Sequence, residues 1–122
     1  MDDLDKGENY TVRDMKLADS GALLVDWARA RMPVLAKLKD EAERTKPLAG
    51  MRVAGCLHVT KETAVLIEAI RAAGAEISWS GCNPLSTQDE VAAWLASEGY
   101  SVHAWHGQST EDFYWCIDKT LE

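Results

Sequence analysis

The sequence predicts an α/β fold built on a parallel sheet. Three observations point to it. Short apolar runs begin near residues 51, 76 and 101, about every 25 residues. Helix-like stretches separate them, and Gly74 and Gly99 stand where such helices would stop. Two more helical stretches precede the first run. Repeated strand–helix units give parallel strands joined by right-handed crossovers.

Each element has its own justification. Residues 1–11 are polar and acidic and are expected to form a disordered tail. Leu17, Leu24, Val25, Trp27 and Ala28 then follow a loose helical period. Pro33 suits the first turn of a second helix, because its fixed φ fits and its missing N–H is not needed there. Val34, Leu35, Leu38 and Ala42 mark that helix's stripe, which ends near Arg44. Residues 51–57 (MRVAGCL) read as a buried strand, and 61–73 as an apolar helix. Residues 75–80 (AEISWS) alternate as a second strand. Thr87-Gln88-Asp89-Glu90 has the form of a capping box opening the next helix. Residues 100–105 (YSVHAW) form the third strand. Ser109, with Glu111 and Asp112 behind it, caps a final helix through Leu121, where acids suit the positive end of the helix dipole.

Composition removes several classes of function. The 122 residues carry 13 basic and 20 acidic side chains, a net charge of −7. An acidic balance disfavours nonspecific nucleic-acid binding, which depends on neutralising phosphates. No apolar run is long enough to span a bilayer. The acidic start Met1-Asp2-Asp3-Leu4-Asp5 is unlike a secretory signal, so a cytoplasmic location is expected. Cys56, Cys82 and Cys116 are widely spaced and odd in number, which fits a reducing compartment better than a disulfide framework. They are expected to be small buried hydrophobes.

Ligands of open α/β sheets bind beyond the carboxyl ends of the strands. That rule selects Cys56–Glu62, Gly81–Asp89 and His106–Ser109. His58 would stand at a strand tip, where an imidazole can exchange protons near neutral pH. Thr60 is a natural N-cap, and its hydroxyl either serves the helix or meets a ligand. Glu62 falls in the first helical turn, either as a dipole partner or as an acceptor for a ligand amine. The second segment is polar without being basic: Asn83-Pro84 suggests a tight turn, and Ser86, Thr87 and Asp89 are divided between capping and ligand contact. No HxxxH or HxH spacing occurs, so no metal site is expected. One glycine stands after the first strand where a dinucleotide fingerprint needs three, and there is no P-loop.

Several long blocks carry a resemblance. They are Lys46-Pro47-Leu48-Ala49-Gly50, MRVAGCLHVTKETAVLIEAI at 51–70 and GAEISWSGCNPLSTQDEVAA at 74–93. His103-Ala104-Trp105 and Phe113-Tyr114-Trp115-Cys116-Ile117 extend it. Together they closely resemble the amino-terminal part of the substrate-binding domain of the S-adenosylhomocysteine hydrolases, from about Val12 onward. The segment His106-Gly107-Gln108 departs from the family pattern, in which a basic residue and an acid flank the glycine.

The resemblance implies two leading helices, then three strand–helix units forming part of a parallel, Rossmann-like sheet. It implies reversible hydrolysis of S-adenosyl-L-homocysteine to adenosine and L-homocysteine, in the methionine and one-carbon cycle. In that chemistry a bound NAD oxidises the ribose 3′-hydroxyl, and the ketone acidifies the 4′ hydrogen. Homocysteine then leaves, water adds at the 5′ carbon, and the ketone is reduced back. His58 matches a family histidine implicated in proton transfer near the ribose 5′ region. Thr60 and Glu62 match residues that hold adenine, and Leu57 one that packs beside the nucleoside. Asn83, Ser86 and Thr87 match a loop lining the same cleft. The NAD-binding domain and the rest of the site are expected outside these residues, so this segment alone is expected to be inactive. A homotetramer is implied for the intact enzyme. The competing expectation is a non-catalytic module that binds nucleoside or docks on a full-length subunit.

Overall fold

The computed structural model describes residues 3–122. Two short strands come first, β1 (Asp5–Lys6) and β2 (Tyr10–Val12). A 3₁₀ turn (Met15–Leu17) leads into α1 (Ala18–Arg29) and α2 (Pro33–Thr45). The strand–helix units follow as β3 (Arg52–Cys56), α3 (Lys61–Ala72), β4 (Glu76–Ser80), α4 (Asp89–Ser97), β5 (Ser101–His103) and α5 (Thr110–Leu121). The sheet order is β1-β2-β5-β4-β3. Only β1 runs antiparallel to its neighbour; β2, β5, β4 and β3 are mutually parallel. This is the expected α/β class with a Rossmann-like arrangement.

Because β3, β4 and β5 step across the sheet in one direction, right-handed crossovers place α3 and α4 on the same face. There α1 lies across both, α2 packs on α3, and α5 covers the opposite face against β3, β4 and β5. The main core lies under α3 and α4. Val12, Ile67, Val91, Leu95 and Val102 are fully or almost fully buried there. Each such side chain contributes roughly 1.5–3 kcal/mol on leaving water. Residues Val91 to Ala96 are all buried, because α4 is sandwiched between the sheet and α1. The two helices meet at Gly21 of α1, where any Cβ would collide with the Glu90 backbone.

Helix boundaries follow the expected chemistry in four places. Pro33 opens α2, and Ser109 Oγ accepts from Asp112 N at 3.1 Å to cap α5. Gly74 and Gly99 follow α3 and α4 with φ of +103° and +89°, a region costly for other residues.

Three expectations are corrected. The expected disordered tail over 1–11 is not seen at residues 3–11. Met1 and Asp2 lie outside the described residues, but β1 and β2 form within the rest. Tyr10-Thr11-Val12 supplies strand-forming side chains, and β2 covers the edge of β5, pairing Tyr10 with Val102 and Thr11 with His103. Secondly, the first apolar run is not a buried strand. β3 is the outermost strand, and Arg52, Ala54 and Cys56 are exposed. Thirdly, the capping box does not form. α4 starts at Asp89 with Gln88 in the cap position and no side-chain cap bond, while the buried Thr87 hydroxyl has no partner.

On the α5 face, His103 is buried beside Trp115, with Nδ1 3.1 Å from Thr11 Oγ1. Burial and the nearby Lys119 ammonium hold its imidazole below the usual range, with Glu122 opposing them. The unfolded imidazole takes a proton near the ordinary 6.5, while the folded one resists to lower pH. His103 therefore costs no stability above that pH, and its cost grows as pH falls below it, until the folded imidazole itself protonates. Urea titrations of wild type and His103→Gln should differ more at pH 5.5 than at pH 7.5, with the wild type losing more on acidification. Equal pH dependence in the two proteins would contradict this account.

Candidate functional site

Three loops meet at the carboxyl ends of the parallel strands: 57–60 after β3, 81–88 after β4, and 104–109 after β5. The first is fixed from below by Trp79. Its indole lies over Gly55, where a Cβ would collide with the ring, and its Nε1 donates to Leu57 O at 3.3 Å. The missing side chain at 55 thus allows β4 to brace the tip of β3.

His58 projects from that tip and is exposed. Its Nδ1 lies 3.2 Å and its Nε2 3.7 Å from Cys82 Sγ. The imidazole is therefore steered by one thiol and open to a ligand. Thr60 takes the N-cap position of α3, with extended backbone, yet its side chain caps no amide. Its Oγ1 lies 3.3 Å from Thr63 Oγ1. Glu62 is exposed on the first turn, with its carboxylate 3.2 Å from Lys61 Nζ. Burial works to raise its pKa, but its own backbone N–H, Lys61 and the Thr60 hydroxyl outweigh that and hold it below the usual carboxylate range. It is an ionised acceptor at neutral pH.

The second loop is less uniform. Asn83 Oδ1 accepts from Leu85 N at 2.9 Å and shapes the turn. Leu57 and Leu85 expose apolar surface beside the polar groups. The hydroxyl oxygens of Ser86 and Thr87 are instead shielded from solvent and lack hydrogen-bond partners. The structure therefore joins His58, Thr60, Glu62 and Cys82 at the strand tips, and turns Ser86 and Thr87 inward.

Two residues that the sequence read only as part of a helix cap or a ligand-contact stretch tie these loops together. Gln88 N donates to Val59 O, and Gln88 Oε1 accepts from Lys61 N, both at 2.9 Å. Asp89 Oδ1 accepts from His106 N at 2.9 Å, and Arg13 donates to His106 O at 2.6 Å. Burial raises the Asp89 pKa against the opposing pull of the His106 N–H and Arg13. Pro84 O accepts from Gly107 N at 2.8 Å and Gln108 N at 3.2 Å. Gln88 and Asp89 stand in a stretch whose polar residues suggest capping of their own helix. Nothing local in the sequence marks their partners, which lie up to 29 residues upstream and 17 downstream.

The cysteines also depart from expectation. Only Cys116 is buried; Cys56 is exposed and Cys82 partly so. Burial pushes the Cys116 thiol up to about 12, with Gln108 Nε2 at 3.2 Å opposing it. Cys56 is exposed because its strand is outermost, and Cys82 because it lies in the open loop. A cavity of about 790 Å³ opens at the other end of the sheet, lined by Arg52, Glu76, Ser101 and Lys119 among others. Its mixed charges are remote from the strand tips. Among the described residues no helix is long and apolar enough to cross a membrane.

The mostly parallel sheet thus carries an imidazole, a carboxylate, a hydroxyl and apolar side chains at its strand tips, the place where open α/β sheets hold ligands. Comparison with known proteins narrows the class. The family model for S-adenosyl-L-homocysteine hydrolase matches residues 9–122. The chain is 51% identical over 110 residues to an adenosylhomocysteinase of Aeropyrum pernix, covering 90% of this chain and 26% of that protein. It is 49% identical over 114 residues to one of Sulfolobus acidocaldarius, covering 93% and 28%. The chain belongs to the S-adenosyl-L-homocysteine hydrolase family, and it spans about a quarter of the length of these relatives.

Proposed function

We propose that residues 12–122 are part of the substrate-binding domain of an enzyme that hydrolyses S-adenosyl-L-homocysteine to adenosine and L-homocysteine. The observation that carries this reading is the juxtaposition of His58, Thr60 and an ionised Glu62 at one strand tip, in a chain of this family. Glu62 accepts from the exocyclic amine of adenine, and Thr60 supplies a second polar contact to the ring. Leu57 lies along the base. Asn83, with Ser86 and Thr87 beneath, shapes the far wall. His58 moves a proton near the ribose 5′ carbon, where the thioether is broken or made. A cytoplasmic location and a homotetrameric intact enzyme belong to the same reading.

NAD use is part of the proposal as well, but the described residues do not fit a dinucleotide. The turn after β3 carries no glycine that would let a pyrophosphate approach the backbone. The first amide of α3, Lys61 N, is already taken by Gln88. NAD, when bound elsewhere in such an enzyme, supplies reversible oxidation of the ribose, and these residues act only on the nucleoside.

Calorimetry tests the binding half. Adenosine should bind the 122-residue chain, and inosine, which lacks the amine donor, should bind at least about tenfold more weakly. Glu62→Ala should cost adenosine about 1.5–3 kcal/mol, the range for a hydrogen bond to a charged group. It should also abolish the preference over inosine. No heat with adenosine would overturn the reading, and unchanged discrimination in Glu62→Ala would remove Glu62 from it.

A further inference from the structure

We infer that Gln88 is a positioning residue: by gripping the β3–α3 turn from the neighbouring loop, it holds in place the segment that presents Thr60 and Glu62 to the nucleoside. The inference rests on the nucleoside reading above and extends it to a residue that touches no substrate.

A threonine at an N-cap with extended backbone ordinarily accepts from the amides one turn into its own helix. Thr60 has that place and backbone, with φ of −118° and ψ of 170°, but its side chain makes no such bond. The first amide of the helix is met from another loop: Lys61 N donates to Gln88 Oε1 at 2.9 Å. The Gln88 side chain is held at this position because its backbone N donates to Val59 O at 2.9 Å, one residue before the cap. One residue of the 81–88 loop thus grips the β3–α3 turn at two points. The orientation of its amide follows from chemistry: Lys61 N–H is a donor, so the group facing it must be the carbonyl oxygen. The Thr60 hydroxyl is left beside Thr63 Oγ1 and the Glu62 carboxylate. Without the Gln88 side chain, Lys61 N is orphaned and the turn carrying Thr60 and Glu62 loses one of its two anchors.

The test measures adenosine affinity by calorimetry and amide hydrogen exchange at Lys61 by NMR, on the 122-residue chain. In Gln88→Ala, exchange at Lys61 should quicken and adenosine should bind about tenfold more weakly, a loss of about 1.4 kcal/mol. Gln88→Glu keeps an acceptor oxygen and should restore both. Thr60→Ala should weaken binding in the wild-type background and add little in Gln88→Ala, where the hydroxyl is already out of place. If Gln88→Ala does not fold, Gln88→Met keeps the side-chain stem and carries the same measurements. Binding by Gln88→Ala equal to wild type overturns the inference, as does unchanged exchange at Lys61. A wild-type chain that binds no adenosine overturns the nucleoside reading itself, and this inference with it.

Discussion

His58→Ala, in a polypeptide carrying this segment at the full length of its relatives, is expected to slow hydrolysis by about 10²- to 10⁴-fold, the usual worth of a positioned acid or base. The fold should not change. His58 is exposed, its ring meets only the Cys82 thiol in the hydrogen-bond network, and the tip of β3 is held by Trp79 and Leu57 rather than by the imidazole. Steady-state kinetics with S-adenosyl-L-homocysteine and a thermal melt check the two halves together. The rate constant should fall, adenosine affinity should change little, and the melting temperature should stay within about 2 °C, as for a surface substitution. Retention of most of the rate would remove His58 from proton transfer. A large fall in melting temperature would mean that the loss came from folding. Cys82→Ser separates the thiol's part, since it leaves the imidazole in place.

Gly21→Val is expected to have the largest effect on stability. A Cβ at this position has no free space: it meets the Glu90 backbone and the Trp94 side chain across the α1–α4 contact. Neither neighbour can move easily, since α4 is buried on every side from Val91 to Ala96. The helices must separate, and overpacking of this kind costs about 1–3 kcal/mol. Replacing a helical glycine returns only a few tenths of that through propensity. The melting temperature should fall by roughly 10 °C. Leu23→Ala, on the exposed side of the same helix, should shift it by no more than a few degrees. An unchanged melt for Gly21→Val would mean that α1 does not sit against α4 in this way.

The elements that were legible in the sequence are those whose signals are local. Apolar periodicity outlined α1 and α2 and an apolar stretch α3, and Pro33, Gly74, Gly99 and Ser109 marked ends that the structure keeps. The strand-tip rule selected the loops holding His58, Thr60 and Glu62 before any geometry was known. What was not legible depends on distant partners. β2 has three residues, and its partner β5 lies some 90 positions on. The outer place of β3 depends on which strands pair with it, which an apolar run does not state. The capping box failed for the same reason. Thr87 and Glu90 have the right spacing, but Gln88 and Asp89 turn their side chains to groups on other loops. Thr60 takes the cap position, yet its hydroxyl caps no amide, and the first amide of its helix, Lys61 N, is met by a side chain 27 positions on.

The outer position of β3 also bears on handling. Among the described residues no strand pairs with its far side, and exposed Met51 stands at its start. Such a border is a template on which other extended chains can stack, so concentrated preparations should turn cloudy with time. A lysine or proline introduced there would keep the solutions clear.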